Sequence, residues 1–167
     1  MILRYYSLFG SILALLCGCA AYPVTHGIPN WGIVEPGTNG VAGMYRGGEP
    51  TPEGWEFLRA MDATNIVQLD GGHSAPSWAH VMRHPIGWWG QYLGNPGPQL
   101  EAAYQDLEAH PEQTFWHCKF GANRSGALGY LWRRRHDHWA REAALAEYNS
   151  HGGKSSGWAL QKYIKDK

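Results

Sequence analysis

The sequence predicts a single α/β domain with a central, mostly parallel sheet of four to five strands flanked by helices. Residues 114–116 form a short apolar run typical of a buried strand, and a tight loop and a helix rich in small residues follow it. Residues 65–69 form a second buried run, which ends at Asp70 and two glycines. With 167 residues and 44% hydrophobic content, the chain can bury one core and hardly two.

Upstream of these runs, residues 31–37 and residues 41–48 each predict a strand. Thr51 then predicts the start of a helix, because its hydroxyl can cap the helix, Pro52 suits the first turn and Glu53 complements the positive end of the helix dipole. The buried stripe of that helix is predicted at Trp55, Leu58 and Met61.

The middle of the chain has weaker patterns. Residues 77–82 predict a short helix, residues 84–86 a strand, and residues 87–98 a long loop rich in Gly, Pro and Trp. The next helix, before the strand at 114–116, is predicted from the apolar spacing of Leu100, Ala103, Tyr104 and Leu107.

The last third predicts helices. Asp137 is expected to cap a helix that ends near Asn149, and Ser155 or Ser156 to begin the last one. The arginines at 133–135 are interpreted as a solvated helix end and not as a nucleic-acid patch, because cations suit the negative end of the dipole. His136 and His138 are interpreted as an exposed pair, since no other metal ligands accompany them.

The loop at residues 117–126, between the predicted strand and helix, is the strongest candidate site. Cys118 opens it and Arg124 closes it, with five residues between them. Backbone N–H groups in such a loop converge on one point, and the helix N-terminus adds positive potential there. The arginine offers a planar fork to an oxyanion, and the same field favours a thiolate. The predicted phosphate-binding residues are Lys119, Phe120, Gly121, Ala122, Asn123 and Arg124.

This Cys-x5-Arg sequence, with His117 before it, Gly121 midway and Ser125 after it, resembles the signature loop of the cysteine-dependent protein tyrosine and dual-specificity phosphatases. The alternative is a buried cysteine beside an unrelated surface arginine. Residues 45–51 resemble the strand-to-helix entry of a bacterial and fungal branch of these enzymes. Arg46 within that segment is otherwise interpreted as an ordinary exposed charge and is given no role.

The resemblance implies roles for the loop residues. Cys118 would form a cysteinyl-phosphate, Arg124 would hold phosphate oxygens, and Ser125 would stabilise the departing thiolate. His117 would fix the start of the loop, although an ordinary buried strand histidine is an equal alternative. No metal or organic cofactor is needed.

The general acid is the weak point of this prediction. Related enzymes place an aspartate on a mobile loop before the cysteine, but this chain has no Asp or Glu between Asp70 and Glu101. Asp70 is the best carboxylate, because ligands bind beyond the carboxyl ends of parallel strands, although a simple turn aspartate is an equal alternative. His84 is the other titratable candidate. We therefore expect a catalytic set of Cys118, Arg124, Ser125 and Asp70, and a preference for aryl phosphates.

Two other function classes remain open. The first is a pseudophosphatase that binds phosphorylated ligands without turnover, which the missing acid favours. The second is a sulfur- or arsenic-handling enzyme of rhodanese type, although the loop of those proteins is usually shorter. The formal net charge is zero, so nothing points to nucleic acid as a partner. The expected partner is a phosphorylated substrate, either a phosphotyrosine protein or a small phosphoester.

The N-terminus predicts a bacterial lipoprotein. Residues 1–18 suit a signal peptide, and residues 16–19 resemble the lipobox that precedes a lipidated cysteine, here Cys19. An ordinary cleaved signal peptide and an uncleaved anchor are the alternatives. Residues 19–30 are predicted as a tether and residues 31–167 as the catalytic domain. The resemblance, with Ala20 after Cys19, implies a lipid anchor in the outer membrane, facing the periplasm. Loss of Cys17 with the signal peptide and lipidation of Cys19 would leave Cys118 as the only free thiol.

Overall fold

A five-stranded sheet with its last strand in the middle forms the framework. The computed structural model describes residues 22–72, 75–153 and 157–167. The strands of this sheet are β3 (Gly32–Glu35), β4 (Met44–Gly47), β5 (Asn65–Gln68), β6 (His80–Arg83) and β7 (Thr114–His117), in the order β3-β4-β7-β5-β6. Only β3 is antiparallel to its neighbour. A separate hairpin precedes the sheet, formed by β1 (Val24–Thr25) and β2 (Ile28–Pro29).

Helices cover both faces of the sheet. They are α1 (Pro52–Ala60), α2 (Trp88–Tyr92), α3 (Gly97–Ala109), α4 (Asn123–Arg135), α5 (Arg141–Ser150) and α6 (Trp158–Lys165). One core lies between the sheet and the side of α3 and α4, and a smaller core lies on the side of α1. The predicted fold class, a mostly parallel sheet flanked by helices, is confirmed. Among the described residues, no helix is both long and apolar enough to cross a bilayer.

Strand β7 is buried along its whole length and pairs in parallel with β4 and β5. In both registers His117 is the last paired residue, opposite Gly47 on one side and Gln68 on the other. The carboxyl ends of three strands therefore stop at the same level. Whatever follows His117 lies at the centre of that edge of the sheet, where α/β folds bind ligands.

Helix α1 begins as its sequence predicts. Thr51 is the N-cap, its hydroxyl accepts a hydrogen bond from Gly54 N at 3.3 Å, and Pro52 is the first helical residue. Leu58 is buried in the smaller core, and Trp55 and Met61 pack against it. This helix follows β4 after four residues, so the connection between the two crosses the same sheet edge as the end of β7.

The described part of the predicted tether belongs to the folded domain. Ile28 of β2 is fully buried, and Asn30 donates a hydrogen bond to His151 O at 2.9 Å. Residues 22–30 therefore pack on the domain and do not form a free linker. The predicted signal peptide and Cys19 lie outside the described residues.

Three predictions between α1 and α3 are wrong. Residues 80–83 form strand β6, where a helix was expected over 77–82 and a strand over 84–86. Helix α2 occupies part of the predicted loop 87–98. Strand β6 lies at the sheet edge with polar residues at both ends, and α2 follows Gly87 without a side-chain cap. Neither element therefore carries the apolar period or the capping residue that marks its type.

The expectations for Asp137 and Arg133 are also wrong. Asp137 does not cap α5, which begins after Ala140; it accepts a hydrogen bond from Arg133 Nη1 at 2.7 Å. Arg133 is buried, where a solvated position was expected. His136 is exposed, as expected, and stacks on Trp132. The predicted start of the last helix at Ser155 or Ser156 lies outside the described residues.

Candidate active site

Cys118 follows directly on β7 and is 2% exposed. It belongs to the larger core, together with Leu69, the residue after β5, and Ala127 of α4. Helix α4 begins five residues later, and its first turn closes with Gly126 N donating to Ala122 O at 2.9 Å. The N–H groups between Cys118 and Gly126 thus have no acceptor within the helix and can face an anion.

Gly121 lets this loop approach the β4–α1 connection backbone to backbone. Its φ is +70°, and a Cβ at this position would collide with main-chain atoms of Gly47 and Gly48. The N–H of Glu49 donates to Lys119 O at 3.2 Å across the same contact. Residues 47–49 therefore support the underside of the loop, which explains why the two sequence segments occur together.

The side chains of Lys119 and Phe120 point outward. Phe120 is 56% exposed, and the ammonium of Lys119 lies 5.7 Å from its ring centroid. Of the predicted phosphate-binding residues, these two can therefore contribute only their backbone N–H groups to the centre of the loop. Their side chains form the rim of the site.

Arg124 is held on the β5 side of the loop. Its Nη1 donates to Ile86 O at 2.9 Å, and Ile86 N in turn donates to Leu69 O at 3.0 Å. Its Nε is buried and has no hydrogen-bond partner among the described residues. The guanidinium is therefore oriented before any ligand arrives, and it keeps a donor available for an oxyanion.

Ser125 lies in the first turn of α4 and is fully buried. Its carbonyl accepts a hydrogen bond from Trp116 Nε1 at 3.0 Å, which fixes the backbone of this turn. The hydroxyl has no hydrogen-bond partner among the described residues. A buried hydroxyl without a partner is unfavourable by about 1–3 kcal/mol, so a ligand or a charged neighbour that accepts from it would be stabilised.

Asp70 and His117 lie together under the α1 side of the sheet. Asp70 Oδ1 accepts a hydrogen bond from Gln68 Nε2 at 3.3 Å and lies 4.0 Å from His117 Nδ1. The His117 ring packs on Trp55 and Phe115, with centroids 5.7 Å away in each case. Cys118 belongs to the core on the other face. The structure therefore places Asp70 next to the base of the loop, against His117.

The alternative acid, His84, is engaged elsewhere. Its Nε2 pairs with the carboxylate of Asp106 on α3. Among the described residues, no three His, Cys, Asp or Glu side chains form a group that could hold a metal ion.

Arg46 is the site residue that sequence reasoning missed. It is 1% exposed, where an exposed charge was expected, and its Nη2 donates to Gly121 O at 2.7 Å. Burial lowers the pKa of Arg46 to about 10, while the nearby Glu147 and Cys118 favour its charged form. It is therefore a cation at neutral pH. The available signal was its position in residues 45–51, directly before two glycines.

A second layer of charge lies behind Arg46. Arg133 donates from Nε to Glu147 Oε2 at 2.9 Å and from Nη1 to Val34 O at 3.2 Å. Burial, with a contribution from Arg46, lowers the pKa of His151 to about 4, so this histidine is neutral at physiological pH. Helices α4 and α5 thus enclose two buried arginines that share the negative charge of Glu147.

The sequence matches no protein-family model and no curated protein. Similar solved structures exist. TpbA of P. aeruginosa superposes with a TM-score of 0.69 at 19% identity, over 88% of this chain and 89% of that chain. The core catalytic domain of the PP-IP phosphatase SIW14 from S. cerevisiae, in complex with citrate, gives 0.63 at 18% identity, over 86% and 87%. Human DUSP28 gives 0.62 at 19% identity, over 87% and 98%.

A further TpbA structure, of a variant in complex with pTyr, gives a TM-score of 0.62 at 18% identity, over 74% of this chain and 78% of that chain. TpbA, SIW14 and DUSP28 are cysteine-based tyrosine or dual-specificity phosphatases. At these identities the similarity establishes the fold, and the chain has the fold of the cysteine-based tyrosine and dual-specificity phosphatases.

Proposed function

We propose that this protein is a phosphoric monoester hydrolase of the tyrosine or dual-specificity type, acting through a cysteinyl-phosphate. One observation carries the proposal: Cys118 is buried at the end of the central strand, directly before the N-terminus of α4, with Arg124 oriented by Ile86 O. The phosphatase neighbours of the same fold, and the TpbA complex with pTyr, support this choice of reaction.

In the first step the Cys118 thiolate attacks phosphorus, a P–S bond forms, and the bond from phosphorus to the ester oxygen breaks. The electron pair of that bond goes to the leaving oxygen, which takes up a proton from an acid or from water. The loop N–H groups and the Arg124 guanidinium hold the three equatorial oxygens while charge redistributes. No other residue forms a covalent bond in this step.

In the second step water attacks phosphorus and the P–S bond breaks. Inorganic phosphate leaves, and the electron pair of the bond returns to sulfur as a thiolate. The buried hydroxyl of Ser125, which has no other partner among the described residues, can donate to that thiolate and so assist its departure.

The leaving group sets the preference for aryl esters. Loss of a general acid costs on the order of 10²–10⁴ in rate when the leaving oxygen is strongly basic. A phenol has a pKa of about 10, so its anion is a much weaker base than an alkoxide. A phenolate therefore leaves more readily without a proton from a general acid. The contacts of Asp70 with Gln68 and His117 favour a role in which it orients His117 over its predicted role as the general acid.

We expect the purified full-length chain to hydrolyse phosphotyrosine peptides much faster than phosphoserine peptides at matched pH, by a factor of about 10². Release of inorganic phosphate is the measurement, and Cys118→Ser is the control that should abolish it. Comparable rates on both ester types would contradict the aryl preference. Binding of phosphotyrosine without turnover would favour the pseudophosphatase, which the contacts of Asp70 with Gln68 and His117 make the second candidate.

For Asp70→Asn we expect the turnover of aryl and alkyl esters to fall by the same modest factor, because the carboxylate lies against His117 and supports the loop. The measurement is kcat/KM on both ester types across pH. A general acid would behave differently: its loss would lower alkyl turnover by about 10²–10⁴ and remove the alkaline limb of that profile, while sparing aryl turnover.

Gly121→Ala should weaken the binding of inorganic phosphate or tungstate by about 10²-fold, because displacement of the loop by a fraction of an ångström misaligns several donors at once. Isothermal titration calorimetry measures this. Gly40→Ala is the matched control: Gly40 also has a positive φ, of +80°, but nothing lies within 4 Å of a Cβ there. Gly40→Ala should keep the wild-type affinity, and an equally high affinity in Gly121→Ala would contradict a role for the contact with residues 47 and 48.

We also propose that Cys19 carries lipid and anchors the domain to the outer membrane, on its periplasmic side. The lipobox-like residues 16–19 support this, and the folded domain already begins at residue 22, so it would lie close to the bilayer surface. Labelled palmitate should appear on the wild-type chain in a bacterial host and should be absent from Cys19→Ala. Label on both chains, or on neither, would contradict the assignment.

A further inference from the structure

The orientation of each peptide unit in the loop has to be enforced. In a trans peptide the C=O and the following N–H point in opposite directions. An N–H that faces a bound anion therefore turns the preceding carbonyl into the protein, where it needs a donor. The carbonyl of Gly121 receives Arg46 Nη2 at 2.7 Å, so the N–H of Ala122 is directed to the opposite side, into the loop.

The peptide unit between Lys119 and Phe120 is oriented in the same way. The N–H of Glu49 donates to Lys119 O at 3.2 Å, which turns the N–H of Phe120 inward. Both donors belong to the β4–α1 connection and its preceding strand. A backbone N–H is present at position 49 for every residue except proline, whereas the contact to Gly121 depends on the side chain of Arg46.

The space for this guanidinium is provided by glycines of α4. A Cβ on Gly129 would lie 3.3 Å from Arg46 Nη1, and a Cβ on Gly126 would lie 3.5 Å from Nη2. Helix α4, whose N-terminus forms one side of the anion site, thus packs its glycines against the side chain of Arg46. The side chain of Arg46 lies between its own strand, β4, and helix α4, where it contacts the Gly121 carbonyl.

The charges around Arg46 come from three elements. Glu147, Tyr148 and His151 face it from α5 and its end, Arg133 from α4, and Cys118 from the loop. Glu147 is already shared with Arg133, through both of its carboxylate oxygens. His151 is neutral. An anion bound in the loop would therefore add a negative charge near this buried cation.

We propose that Arg46 is a positioning residue, which fixes the anion-binding form of the loop through its hydrogen bond to the Gly121 carbonyl. The inference deepens the proposed function and rests on it. In this arrangement Arg124 binds the ligand directly, whereas Arg46 contacts the loop backbone and touches no substrate.

The test compares Arg46→Met and Arg46→Lys with wild type, in the full-length protein. The first readout is the affinity for tungstate, measured by isothermal titration calorimetry. Arg46→Met should bind tungstate about 10²-fold more weakly than wild type, because the Gly121 carbonyl loses its donor and the N–H of Ala122 is no longer directed into the loop. Arg46→Lys, which keeps a donor and the charge, should recover part of that affinity.

The second readout is kcat/KM on an aryl phosphate. Both variants should lose about 10²-fold, because an ammonium does not reproduce the planar donor that holds the Gly121 carbonyl. Arg135→Met is the control for loss of a structural arginine. Arg135 is on helix α4 but pairs with Glu101 of α3, so the tungstate affinity and kcat/KM of this variant should stay at the wild-type values.

Wild-type tungstate affinity in Arg46→Met, or an equal loss of affinity in Arg135→Met, would overturn the proposal. If Arg46→Met does not fold, a wild-type kcat/KM in Arg46→Lys would overturn it equally, and a loss there in a variant that still binds tungstate would support it. Tungstate binding needs no turnover. It therefore tests the role of Arg46 even if the chain proves to bind phosphate esters without hydrolysing them.

Discussion

The site depends on one constraint: a loop whose N–H groups face an anion must turn its carbonyls into the protein. Here those carbonyls find donors in the segment that follows β4, through the side chain of Arg46 and the backbone N–H of Glu49. This is possible because β4 and β7 are parallel neighbours that end together. On the other side of β7, the end of β5 leads to the Ile86 carbonyl that orients Arg124. The strand order thus supplies both supports.

Burial of charge behind the loop follows from the same arrangement. Two arginines, Arg46 and Arg133, are buried within the domain, and Glu147 lies near both of them. Such a group is costly unless its charges are paired and hydrogen-bonded. Arg133 is matched by Glu147, Asp137 and Glu35. Arg46 instead donates to the Gly121 carbonyl, so a change in the charge bound in the loop acts directly on its surroundings.

The sequence predicts the elements whose signals are local. Thr51 and Pro52 mark the start of α1, and the run before Cys118 marks the central strand. Strand β6 and helix α2 were missed, because an edge strand with polar ends and a helix without a capping side chain leave no periodic pattern. The buried positions of Arg46 and Arg133 were missed for another reason. Whether an arginine is exposed depends on the space left by partners distant in sequence, such as the glycines of α4.

The contact between Gly121 and residues 47 and 48 brings two main chains together with no side chain between them. A contact of this kind cannot be adjusted by rotamer changes, which absorb most substitutions elsewhere in a core. A Cβ added at Gly121 has to be accommodated by moving the main chain on one side of the contact. Mutational drift in the two segments is therefore coupled: in any descendant of this chain that keeps the loop geometry, the β4–α1 connection and the cysteine loop must change together.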